Sequence, residues 1–151
     1  MDYNKLWNPQ IYIENCLSEL KDSTWKTADI DETGNAFIVE RRQIRGVFSE
    51  NLELQHFPLD VQDLSITVLS DRPTAEVELV ADLEDPSSVN KDSFAEEQEW
   101  KLHRHVEVTK KTVKLEFSSF RSLHSSLQVT CRAARRPGYF YYNVFLVMVS
   151  C

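Results

Sequence analysis

Glycine is scarce in this chain, three in 151 residues, and proline contributes only five. That supply excludes collagen-like repeats and low-complexity segments, and no internal repeat of solenoid length is visible. The cysteines are Cys16, Cys131 and Cys151. An odd number at wide spacing fits neither a zinc pattern nor a small disulfide scaffold. Basic excess is missing too: the net charge of -7 disfavours a nucleic-acid partner, because backbone phosphates need a clustered basic surface. Met1–Gln10 lacks a charged start followed by an apolar run, so no signal peptide is read there. The expectation is therefore either a cytosolic protein or one whose natural start lies upstream. Finally, the chain has no Gly-rich phosphate loop, nucleophile elbow or His-Glu zinc pattern, so neither an enzyme nor a cofactor is expected.

What is present is enough apolar material for one core: 42% hydrophobic and 11% aromatic residues point to a single globular domain. Alternation of apolar and polar residues dominates. It runs through Phe48, Leu52 and Leu54, then Leu64, Ile66 and Val68, then Val77, Leu79, Ala81 and Leu83. It resumes at Trp100, Leu102, Val106 and Val108, at Val113, Leu115 and Phe117, and at Leu127, Val129 and Cys131. Period two predicts half-buried antiparallel strands. Turn chemistry separates them at Asp31–Asn35, Phe57–Asp60, Asp71–Pro73 and from Asp85 towards Ser93. Short strands with such breaks predict an all-β fold, an immunoglobulin-like antiparallel sandwich.

Charge is unevenly placed. Acids crowd between Glu76 and Glu99 with Lys91 as the one base, whereas bases dominate from Lys101 to Pro137 against Glu107 and Glu116. Two solvated faces would explain this; so would an acidic rim that concentrates cations and a basic end near lipid headgroups. His103 and His105 share a strand face but lack a third ligand at a sensible spacing, so an exposed polar face is expected there and no metal site. After Arg135-Arg136-Pro137-Gly138 the segment Tyr139–Cys151 carries no charge. It is shorter than the roughly 20 residues that a spanning helix needs. A last buried strand is one reading. The order of a cationic pair, an aromatic belt and then aliphatic residues supports the other, the first part of a transmembrane helix that continues beyond the chain.

The stretch Arg45 to Leu64, with Phe57-Pro58-Leu59-Asp60 followed by Gln62, resembles the Cys-loop region of the pentameric ligand-gated ion channel family. Three flanking segments resemble that family in the right order. Trp7-Asn8-Pro9 through Asn15 is similar to its binding loop A, Phe94–Leu102 to the strand leading to loop C, and Arg135-Arg136-Pro137 through Leu146 to the link into the first transmembrane helix. Two departures stand out. Glu50 and Leu64 occupy the positions of the loop-closing cysteines, so that disulfide cannot form, and the family's opening helix and first strands would lie before Met1.

The resemblance implies a partial ligand-binding domain over residues 1–137 and the beginning of the first transmembrane helix over 138–151. It places the domain on the extracellular side of the plasma membrane. The partners it implies are a small-molecule agonist, homologous subunits that form a pentamer, and lipid around the C-terminal segment. It assigns gating and coupling to Phe57, Pro58, Asp60 and Gln62 of the loop and to Arg135 and Arg136 of the stalk. Pro58 stiffens the turn and biases Phe57 towards an extended conformation. A carboxylate at a buried loop base needs a cation; the family supplies the arginine before the first helix, matched to Arg135, with Arg136 as its neighbour. Alternatively, Asp60 caps its own turn. Agonist-site candidates are Trp7 and Tyr12 in loop A, the Asp82–Ser93 stretch as loop B, and Phe117 and Phe120 in loop C; any of these aromatics could equally be core. A soluble binding protein of the same fold and a truncated, non-conducting subunit are the competing functions.

Overall fold

The computed structural model describes residues 7–18, 21–92, 94–114 and 122–149. Its strands are β1 (Ile11–Ile13), β2 (Lys21–Ile30), β3 (Ala36–Arg45), β4 (Val61–Pro73), β5 (Trp100–Lys114) and β6 (Leu123–Arg135). The chain is an all-β protein of antiparallel sheets, the composition expected of a sandwich. Two compact units divide it: residues 1–8 with 15–49, and residues 9–14 with 50–151.

In the first unit β2 and β3 form a hairpin in register from Lys21↔Arg45 to Ile30↔Ala36. The Asp31–Asn35 turn closes it. Asp31 accepts from the Thr33 amide at 2.6 Å and from the Thr33 hydroxyl at 2.7 Å, and Gly34 takes a φ of 87° that side chains disfavour. Asn15 and Ser49 join the ends of this unit through Ser49 N–H to the Asn15 carbonyl at 2.9 Å.

The second unit carries a four-stranded sheet in the order β1-β4-β6-β5. Leu64, Ile66 and Val68 of β4 pair with Cys131, Val129 and Leu127 of β6, which in turn face Val106 and Val108 of β5. One sheet face is therefore apolar. The other carries Asp63, Ser65, Thr67, Gln128, Thr130, Glu107 and Thr109. Leu69, Val77, Leu102 and Ala133 are the buried hydrophobic residues among those described. Val77 is held in place because Thr74 N–H donates to the Leu123 carbonyl at 2.8 Å and Leu79 N–H to Ser125 Oγ at 2.9 Å.

Several alternating stretches are not strands. Val47–Leu54 contributes a single bridge, Cys16↔Phe48, and Val77–Leu83 is irregular. Alternation alone cannot make a strand where no neighbour offers its backbone hydrogen bonds. Val113 belongs to β5 rather than to a strand of its own; Leu115 and Phe117 lie outside the described residues. Asp71-Arg72-Pro73 forms the last three residues of β4, after a register shift between Leu69 and Pro73, and the turn follows over residues 74–76.

Beyond β6 the backbone is helical, not extended: α1 (Pro137–Phe140), a π-helical turn over Tyr141–Phe145, and α2 (Leu146–Val149). Pro137 sits in the first turn, where its missing N–H costs nothing. No helix among the described residues is long and apolar enough to cross a membrane.

Candidate functional site

Sheet register builds the site. β4 pairs with β6 as Val61↔Ala134, so Asp60 falls opposite Arg135, whose N–H donates to the Asp60 carbonyl at 3.0 Å. On the other side β5 pairs with β6 as Trp100↔Arg135. One rung thus brings together Asp60, Arg135 and Trp100, three residues far apart in the chain. Glu99, one step before Trp100, accepts from Arg136 N–H at 2.7 Å and is placed beside the same arginine.

The side chains complete what the backbone sets up. Arg135 Nε donates to Asp60 Oδ1 at 2.7 Å and Nη2 to Oδ2 at 3.3 Å, a two-point pair, while Nη1 reaches Glu99 Oε1 at 2.7 Å. The Arg135 guanidinium carbon stands 4.1 Å from the Trp100 ring centre and 4.9 Å from that of Phe57. A guanidinium is suited to this position because it stays charged, forks towards carboxylates and stacks on rings. The Phe57 ring also meets Phe140 of α1 edge-on, 4.7 Å between centres and 87° between planes. The loop tip therefore touches the first helical turn, through an aromatic pair worth about 0.5–1.5 kcal/mol beyond its area.

Only 2% of the Asp60 side chain and 9% of the Arg135 side chain reach solvent. Removing one member of such a buried pair leaves the other unsatisfied, at a cost of about 3–5 kcal/mol. Gln62 is buried as well and locks the loop. Its Nε2 donates to Asp60 Oδ2 at 2.6 Å and to the Glu53 carbonyl at 2.8 Å, and its Oε1 accepts from Glu53 N–H at 2.9 Å. Asp60 does not merely cap its own turn.

The Arg135 hydrogen bonds hold the Asp60 carboxyl below its ordinary pKa, against burial, which pushes it up; Gln62 assists. A carboxyl with a depressed folded pKa adds stability above its unfolded value, about 3.9, and loses that contribution as pH falls through the folded value. Denaturant stability of the wild type should therefore fall more steeply below about pH 4 than that of Asp60→Asn; parallel acid limbs would count against the pair.

At the mouth of the loop Glu50 Oε2 accepts from Ser65 N–H at 2.9 Å. Glu50 and Ser65 thus close the loop by a hydrogen bond beside Leu64, where the resemblance expects a disulfide. Glu50→Ala should speed amide exchange at Ser65 about fivefold, for a bond worth about 1 kcal/mol, with Glu50→Gln intermediate and dithiothreitol without effect. Unchanged exchange in Glu50→Ala would show that the bond closes nothing.

The description "neurotransmitter-gated ion-channel ligand binding domain" matches residues 1–137 as a family profile. The chain belongs to that family. No curated protein matches the chain closely enough to be counted a relative. The family's domains are extracellular parts of membrane channels, and they bind ligands and assemble with further subunits rather than catalyse reactions. An immunoglobulin-like, all-β reading of the sequence agrees with this membership.

Within this ligand-binding domain the residues singled out by sequence fall into separate places. Phe57, Asp60, Gln62 and Arg135 converge; Pro58 follows Phe57 through a cis peptide bond, and Arg136 joins through its backbone N–H, which donates to the Glu99 carbonyl. Tyr12, 37% exposed, lies on β1 opposite Leu69, and burial with nearby Asp71 pushes its hydroxyl pKa up. Trp7 is 61% exposed in the other unit. Phe117 and Phe120 lie outside the described residues, and Asp82–Asp92 of the proposed loop B stretch is irregular.

Sequence reasoning overlooked Glu99, which is one acid among many, and Phe140. The one sequence signal for Glu99 was its place next to Trp100; Phe140 was one aromatic in the Tyr139–Tyr142 run. It also overlooked a buried polar cluster at the far end of β6. His124 Nδ1 lies 3.2 Å from the Ser70 carbonyl and Nε2 2.9 Å from Ser122 Oγ. A carbonyl only accepts, so the Nδ1 contact is a donated hydrogen bond.

Proposed function

We propose that this domain binds a small-molecule agonist outside the cell and passes the resulting movement to a pore through the Phe57–Asp60 loop. The two-point Asp60–Arg135 pair carries the reading. It fastens the loop to the last residue of β6, two residues before α1 begins, so the loop and the strand cannot move separately without exposing a buried charge. Phe57 against Phe140 is a second tie between the same loop and the helix. A buried contact of this kind would transmit displacement, because packed interfaces shift between discrete arrangements rather than deform continuously.

Residues 138–151 are read as the start of the first transmembrane helix and the assembly as a pentamer of homologous subunits in the plasma membrane. Tyr139-Phe140-Tyr141-Tyr142 would lie at the headgroup level, where aromatic rings collect. Two experiments test this. The transcript beyond Cys151 should encode three further apolar helices, and the complete product in oocytes should carry currents evoked by a panel of small amines and amino acids. A stop codon directly after Cys151 would favour the soluble binding protein or the non-conducting subunit instead.

A further inference from the structure

The two faces of the β2–β3 hairpin differ in how their charges are satisfied. On one face Lys26 and Arg42 both pair with Glu40. On the other the register sets Lys21 directly opposite Arg45 and Arg41 directly opposite Trp25, with Ser23, Thr27 and Gln43 between them. None of these three cations meets a carboxylate among the described residues. Like charges across a rung are destabilising, and an anionic surface brought to this face would relieve the repulsion. Trp25 stands 57% exposed in their midst and lines an open cleft of about 490 Å³ with Thr27, Arg41, Arg42 and Gln43. Exposed tryptophan and arginine side by side are the residue types that dominate binding energy at protein interfaces.

The opposite charge is found in the second unit. A polar groove of about 360 Å³ on the sheet face of Ser65 and Thr130 is lined by Glu50, Glu53, Asp63 and Glu107. Arg132 neutralises Asp63, at 2.7 Å, and the Glu50 carboxylate accepts the Ser65 amide. Among the described residues Glu53 and Glu107 make no direct ion pair, and Arg132, already engaged with Asp63, acts on Glu107 only as a neighbouring charge. We infer that the Lys21, Trp25, Arg41 and Arg45 face of one copy docks on the Glu53 and Glu107 groove of a second copy. The contact is head-to-tail, since each copy offers one surface of each kind, and such a contact builds rings when its rotation closes. This rests on the assembly reading above and adds to it the surfaces and their chemistry.

The test uses two differently tagged versions of the full chain, co-expressed in one cell and recovered through one tag. Arg41→Glu/Arg45→Glu makes both surfaces of a copy acidic; Glu53→Lys/Glu107→Lys makes both basic. Each variant should lose self-association at least tenfold. The two together should associate with each other at least tenfold better than either does alone, short of the wild-type level because a ring of five cannot alternate two kinds of copy; this recovery also shows that both are folded. Wild-type association should weaken with added salt, as the screening length shrinks from about 10 Å at 0.1 M to about 3 Å at 1 M. Undiminished self-association of the variants, failure of the mixture to recover, or recovery with Asp82→Lys/Glu84→Lys in place of the groove variant would each overturn the inference. If wild-type copies do not associate at all, it is the subunit reading itself that fails.

Discussion

Asp60→Asn and Arg135→Gln should each abolish agonist-evoked current in the complete channel while subunits still reach the cell surface. The two changes are not equivalent. Asp60→Asn leaves Arg135 with Glu99 and two aromatic rings, so the cation keeps partners. Arg135→Gln leaves Asp60 and Glu99 facing one neutral amide, with Asp60 almost fully buried. The arginine substitution should therefore destabilise more, towards the upper end of about 3–5 kcal/mol. At about 2–4 °C per kcal/mol for a chain of this size, Arg135→Gln should lower the melting temperature by roughly 10 °C or more. Exchanging the pair, Asp60→Arg with Arg135→Asp, should not restore function, because the new aspartate would face Glu99. Adding Glu99→Gln to the exchange should recover part of it. Wild-type currents from both single variants, with surface expression verified, would defeat the coupling role.

Phe57→Ala should be the next largest effect. It removes an edge-on contact with Phe140 and one wall of the Arg135 stack in a single step. With about 0.5–1.5 kcal/mol for the aromatic pair and about 1 kcal/mol for a half-exposed cation–π contact, the gating equilibrium should shift by roughly tenfold to seventyfold. Agonist binding to the isolated extracellular domain should stay within a factor of two. Phe57→Leu keeps an apolar contact to Phe140 but no ring face for the guanidinium, so it should recover only part of the shift. A Phe57→Ala channel with unaltered concentration dependence would show that the loop tip does not pass movement to the helix.

Where alternation met a paired neighbour, the sequence was a sound guide: Leu64–Val68 and Leu127–Cys131 lie in β4 and β6 and pair with each other. Where it met none, as in Val47–Leu54, the pattern was present and the strand was not. The opposite error concerns β2 and β3. Lys21–Ile30 is polar and charged on both faces, so it offers no apolar stripe, and its only local signals were the Asp31–Asn35 turn and the Phe37-Ile38-Val39 run. Asp60 was legible because a turn of that composition is uncommon and because a carboxylate next to a core strand demands a cation. Glu99 and Trp100 were not legible as its companions, since only the β5–β6 register brings them to the rung. The two-residue slip around His103, Arg104 and His105, between Leu102 and Val106, cannot be counted from the chain alone. Agonist-site candidates stayed scattered, because aromatic residues serve cores and ligand walls alike.

The most direct measurement is a double-mutant cycle on Asp60 and Arg135 read out as agonist concentration dependence, with the charge-conserving replacements Asp60→Glu and Arg135→Lys, which keep a weakened pair and so currents large enough to fit. A buried two-point pair that gates predicts an interaction energy of roughly 1.5–3 kcal/mol. Effects that add to within about 0.5 kcal/mol would mean that the two residues influence the channel independently, and the proposed tie between loop and stalk would not exist.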